Sequence, residues 1–155
     1  MSLKDRITED MKTAMRAKDA ARLSTIRLLL AAIKQKEVDE RVTVDDAQAL
    51  AIIEKLIKQR RDSIEQFQRA NRQDLVDQET FELSVLAGYQ PEQASPEELA
   101  AAVAEAVGTT GAAGPADMGK VMGILKSKLA GRADMSAVSA LVKARLAGGG
   151  AKPNA

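Results

Sequence analysis

The apolar residues of this chain recur every three or four positions and almost nowhere every second one. Leu23, Ile26, Leu29, Leu30 and Ile33 keep that rhythm, and so do Leu50, Ile53, Ile57, Ile64 and Phe67. Steps of three and four place side chains on one face of a helix, whereas a half-buried strand needs strict alternation. The spacing predicts an all-α protein. Phe67, Phe81 and Tyr89 are the whole aromatic set. The core must then be Leu, Ile, Val, Met and Ala, which suits helices packed on helices.

Caps and breakers divide the helical pattern. Ser2 can cap a first helix from Leu3 to about Ala17, with Asp5 in its opening turn and Leu3, Ile7, Met11, Ala14 and Met15 as its stripe. Asp19 caps a second helix, which the polar run Lys36 to Arg41 ends. Thr43 is expected to cap a long third helix, with Asp45 and Asp46 in its first turn, where acids oppose the positive end of the dipole. Arg60 interrupts its seam. A fourth covers Gln73 to Ala87, with Leu75, Val76, Leu83 and Leu86 apolar. Gly88 and Pro91 stop it, and Ser95-Pro96-Glu97-Glu98 starts a fifth with a capping box. Its buried face is Leu99, Val103, Ala106 and Val107. Two short helices follow: Asp117 caps one, with Met118, Val121, Met122, Leu125 and Leu129 inward. Asp134 caps the other, with Val138, Leu141, Val142 and Leu146 inward. The stretch around Pro91 is the domain boundary. The expected architecture is a helical N-terminal domain with long helices over 1–90, a small basic three-helix domain over 91–147, and a disordered tail over 148–155.

Composition removes several chemistries. The chain has no Cys and no His. Disulfides and His-based triads are excluded, and a structural zinc site has no suitable donors. No apolar run reaches the roughly 18 residues of a membrane span. The N-terminus is charged from Lys4 onward and has no signal-peptide core. These features point to a cytoplasmic protein away from the membrane, without metal, cofactor or catalytic residues of its own. Asp74, Asp77 and Glu79 form no calcium-loop pattern.

The segment "GPADMGKV", Gly114 to Val121, matches Gly-x-x-x-x-Gly-Lys, most of a phosphate-cradling loop. Its context is wrong. An alanine-rich helix precedes it instead of a strand, Val121 stands where Ser or Thr should hold magnesium, Pro115 removes a backbone donor, and Asp117 brings a carboxylate. A turn and a helix start explain these residues better.

Charge is uneven along the chain. Residues 1–114 hold 16 Lys/Arg against 20 Asp/Glu, while residues 115–155 hold 7 against 2. Lys120, Lys126, Lys128, Arg132, Lys143 and Arg145 fall off the apolar stripes of the last two helices. Such cations neutralise phosphates and release counterions. Gly119 and Gly123, four apart, are expected chiefly to let helices of this domain pack closely; close approach of an RNA backbone or partner helix is the alternative. Two other basic groups read as solvated surface: Lys55, Lys58, Arg60 and Arg61 beside acids at helical pairing distance, and Arg16, Lys18, Arg22 and Arg27 at the first helix junction. An adapter surface is the sharper reading of the latter.

The stretch "ADMGKVMGILKSKLAGRADMSAVSALVKARL" resembles the C-terminal domain of the YqeY-like family, and "MSLKDRITEDMKTAMRAKD", "KQRRDSIEQFQRANRQDL" and "VLAGYQPEQ" extend the likeness over nearly all of 1–147. That family resembles the tail domain of the B subunit of the glutamyl-tRNA/aspartyl-tRNA amidotransferase. The chain departs from the pattern at Met135 and at Ala70-Asn71-Arg72, where Asn tolerates the left-handed backbone that Gly would supply. The resemblance implies an all-helical, two-domain, non-catalytic protein that engages tRNA, with aminoacyl-tRNA or amidotransferase components as further partners. Two alternatives are a protein–protein adapter without RNA, and amidotransferase activity (carbon–nitrogen ligase with glutamine as amido donor), as the family relationship would carry.

Overall fold

A computed structural model of the chain describes residues 1–148; the tail expected at 148–155 lies outside the described residues except for Gly148. Among the described residues every regular element is helical: α1 (Leu3–Arg16), α2 (Ala20–Glu40), α3 (Asp46–Arg69), α4 (Gln73–Ala87), α5 (Pro96–Thr110), a short 3-10 turn (Pro115–Asp117), α6 (Met118–Lys128) and α7 (Met135–Ala147). The all-α expectation holds. The helices gather into two compact units, one spanning Met1–Gln90 and one starting at Pro91.

In the first unit α3 and α4 form an antiparallel hairpin, and α1 and α2 pack beside it. Asn71 makes the hairpin turn in the left-handed conformation, with φ 54°. Ile7, Ala14, Ile26, Leu29, Ile33, Ala49, Ile53, Ile57, Val85 and Leu86 fill the core. Burying each large aliphatic side chain contributes about 1.5–3 kcal/mol. Met15, expected on the α1 stripe, is instead half exposed, while its neighbour Ala14 takes the buried position in the last turn of α1.

Polar contacts fix how these helices meet. The Lys4 ammonium donates to both Glu37 carboxylate oxygens at 2.8 Å, and the Val44 N–H donates to the same carboxylate at 3.0 Å. The Lys4 contact, then Val44, holds Glu37 below the ordinary carboxylate range. One side chain thereby joins α1, α2 and the α2–α3 connection. Arg60, the cation inside the α3 seam, reaches α4 and pairs with Glu82 at 2.8 Å and Glu79 at 3.2 Å. The buried Tyr89 donates its hydroxyl to Asp10 at 2.6 Å, and the Arg6 guanidinium lies 5.1 Å from the ring centre. Burial first, and then the Asp10 carboxylate, push the Tyr89 hydroxyl far up.

The run Lys36 to Arg41 ends α2 as expected, at its far end: i,i+4 contacts, Gln35 to Asp39 at 2.8 Å and Lys36 to Glu40 at 3.1 Å, carry the helix to Glu40, and Arg41 caps it in the left-handed conformation with φ 54°. One helix start differs from expectation: Asp45, not Thr43, caps α3. Its Oδ1 accepts from the Gln48 N–H at 2.8 Å, and the Gln48 side chain accepts from the Asp45 N–H at 3.1 Å. Val44 is buried and its N–H is bound by Glu37, and Asp45 after it is extended, so helical turning begins only beyond Asp45.

The second unit packs α5, α6 and α7 around Ala102, Val103, Ala106, Val121, Leu125, Leu129, Val138, Val142 and Leu146. Leu141, expected inward, is 43% exposed. Ser95 caps α5 by accepting from the Glu98 N–H at 3.1 Å, but the Glu98 carboxylate turns to Arg132 at 2.7 Å. The turn between α6 and α7 bends at Gly131, with φ 71°. It is tied to the segment before α5 in three ways. The Ala94 N–H donates to the Arg132 carbonyl at 2.8 Å, the Gln93 side chain donates to the Gly131 carbonyl at 2.8 Å, and Arg132 Nε donates to the Glu92 carbonyl at 2.9 Å.

Two predictions test this account. Asp45→Ala should destabilise the first unit by about 1 kcal/mol through loss of the cap, while Thr43→Ala should leave urea denaturation nearly unchanged. The Arg132 guanidinium holds the Glu98 carboxyl below its ordinary value of 4.5. A carboxyl depressed in the folded state stabilises above its unfolded value and loses that contribution as pH falls through the folded one. NMR titration should therefore find Glu98 below 4.5, returning toward it in Arg132→Gln.

Candidate nucleic-acid interface

The α6 helix is oriented by its buried residues. Val121 and Leu125 are fully enclosed. At about 3.6 residues per turn, the opposite side carries Gly119, Gly123 and Ser127, with Lys120 along one edge and Lys126 along the other. All five are exposed.

The six cations do not form one equivalent face. Lys128 pairs with Glu105 of α5, and Arg132 with Glu98. The guanidinium of Arg132 belongs to the knot that holds the α6–α7 turn, so its role within the unit is structural. Like the other four cations, both lie off the apolar stripe. Their partners sit more than twenty residues earlier in the chain, beyond the reach of helical pairing rules. Lys120, Lys126, Lys143 and Arg145 are exposed and make no ion pair among the described residues. Lys143 and Arg145 are two residues apart on α7 and flank the buried Val142 and Leu146 on opposite sides, so they point to different sides of that helix.

Gly119 and Gly123 reverse the expectation of close packing. A Cβ added to either would meet nothing within 4 Å. Neither glycine lets an element of this unit approach, because both sit opposite Val121 and Leu125. Glycine in an exposed helix interior costs about 1 kcal/mol relative to alanine, and here no internal contact offsets it.

The loop before α6 is occupied by its own carboxylate. Asp117 does not cap α6 but turns back, and its Oδ2 accepts from the Ala113 N–H at 3.0 Å. That bond, with the Gly114 N–H and then the Lys120 charge, lowers the Asp117 pKa. The helix α5 runs into this loop where a phosphate loop requires a strand. Among the described residues no three carboxylates gather to hold a metal ion, and no helix is long and apolar enough to cross a membrane.

Comparison with known proteins places the chain. The family described as "Yqey-like protein" matches residues 4–146. Proteins called "Altered inheritance of mitochondria protein 41, mitochondrial" are similar to it. The one from Eremothecium gossypii is 46% identical over 98 residues, 61% of this chain and 54% of the relative. That from Lachancea thermotolerans is 46% identical over 84 residues, 54% and 45% of the two chains. That from Kluyveromyces lactis is 42% identical over 85 residues, 54% and 46%. The chain spans about half the length of these curated relatives. Their names overturn the expectation of a cytoplasmic protein. Lack of cysteine and of a spanning helix limits what a chain can fold into, and a mitochondrial protein meets both conditions as readily. With 143 consecutive residues matched, from 4 to 146, the chain belongs to the YqeY-like family.

Proposed function

We propose that the protein is a non-catalytic, tRNA-associated binding protein that contacts RNA phosphates through the outer face of α6, as a free-standing counterpart of the amidotransferase tail. The observation that carries this reading is the exposed glycine pair between two unpaired lysines. Gly119 and Gly123 leave the helix backbone bare, and Lys120 and Lys126 stand on either side of it. A phosphate ribbon could approach that backbone closely while both ammonium groups reach it, an arrangement selective for the shape of folded RNA rather than for base edges. Lys143 and Arg145 on α7 supply further positive charge. Scarcity of aromatic residues disfavours base stacking as the binding mode.

Binding of labelled, folded tRNA across a salt series tests the proposal. Wild type should bind at about micromolar strength and weaken steeply with salt. Lys120→Glu/Lys126→Glu should lower the log–log salt slope by roughly two and weaken binding by at least about tenfold. Unchanged binding in that variant would sink the reading. Gly119→Ala/Gly123→Ala separates RNA contact from packing. It should raise stability by up to about 1 kcal/mol per position and still weaken tRNA binding, because each new methyl group stands on the contact surface. Equal or tighter binding by the alanine variant would show that no RNA backbone approaches there.

A further inference from the structure

The α2 helix has a second apolar face. Ile26, Leu29 and Ile33 point into the core. On the other side Ala21, Ser24, Leu28, Ala31, Gln35 and Val38 follow in alternating steps of three and four, and every one is exposed. Leu28 is 51% exposed and Val38 is 60%. Single apolar residues on a surface need no explanation. A heptad-spaced row over the length of a helix is the seam that a partner helix covers, and a polar residue such as Gln35 within it sets register. Beside the row, α2 and α3 leave a groove of about 500 Å³ whose apolar lining includes Ala32, Ala51, Ile52 and Leu56.

Unpaired basic charge borders the seam. Arg27 and Lys34, seven residues apart, border it on one side, with Arg41 at the next step just past the helix end. Lys55 of α3 stands across the groove. All four are exposed, and none has an ion pair among the described residues. Of the carboxylates at the groove's edge, Glu40 is paired with Lys36, while Asp39 accepts only from the neutral Gln35 amide and keeps its charge. Antiparallel self-association fits poorly. Antiparallel pairing of two such seams would set Lys34 against its own counterpart and Arg27 against Arg41, and like charges at these flanking positions repel.

We propose that this face docks an acidic amphipathic helix of another protein. Its apolar residues would cover Leu28, Ala31 and Val38, and its flanking carboxylates would meet Arg27, Lys34 and Lys55. The surface lies in the first unit, shares no residue with the α6 face and stands independently of the RNA reading.

A designed helical peptide of three heptads, with leucine at its seam and glutamate at its flanks, is the probe. The same peptide with lysine at the flanks is the control. The full-length protein should bind the glutamate peptide at about micromolar strength and the lysine peptide at least about tenfold more weakly. Leu28→Glu/Val38→Glu should abolish glutamate-peptide binding without loss of helicity or melting temperature, since both residues are on the surface. Arg27→Glu/Lys34→Glu should exchange the preference and select the lysine peptide. Equal binding of the two peptides, or of neither, overturns the proposal. So does binding that heparin or tRNA displaces but Leu28→Glu/Val38→Glu leaves intact, because the row would then be a polyanion site. A dimer in sedimentation that dissociates in Leu28→Glu/Val38→Glu would assign the face to a second copy of the chain and also overturns it.

Discussion

Burial of small aliphatic side chains on helices is the constraint on which the rest of the structure depends. The first unit gathers several fully enclosed Ile and Leu residues along four helices. The second has a lighter core, in which Ala102, Ala106 and Ala133 stand beside valines and three leucines. Apolar area buried falls with size, and a core of this kind leaves a narrow margin over conformational entropy. Defined polar ties therefore matter most where the core is lightest. The knot of Arg132 with Glu92, Glu98 and Ala94 closes the second unit at the end where α5 begins and α6 gives way to α7.

That knot also sorts the cations. Lys128 and Arg132 reach α5, and Lys120, Lys126, Lys143 and Arg145 are left unpaired among the described residues. The same sorting in the first unit assigns Arg60 to α4 and Lys4 to Glu37, and leaves Arg27, Lys34 and Lys55 among the cations with no ion pair among the described residues. In each unit some of these unpaired cations border a surface that internal packing does not explain. On α6 that surface is bare glycine backbone; on α2 it is an exposed heptad-spaced row that carries Leu28 and Val38.

Much of the fold was legible from local signals. Helical spacing gave the class, and α4 begins at Gln73 and ends at Ala87 as its pattern indicated. Ser2, Asp19, Ser95 and Asp134 cap as read, because a cap is a contact between residues two or three apart. Asn71 turns left-handed where a glycine would have done so. The misread cap at Thr43 failed for a tertiary reason: the Val44 side chain is buried and its N–H is held by Glu37, seven residues away, which delays the start of α3. The Asp117 carboxylate was likewise drawn back to the Ala113 N–H and lost to α6.

The sequence by itself determined that the chain is helical, where its helices turn, and which residues could carry positive charge. These follow from periodicity, backbone propensity and side-chain chemistry, all of which act over a few residues. Only the tertiary structure decided which cations are free, that Gly119 and Gly123 face away from the core, and that α2 keeps an uncovered seam. Each of these depends on which distant helix occupies the neighbouring space. Two glycines four apart read alike whether a helix packs on them or nothing does, and an arginine looks equally available until a glutamate from another helix meets it.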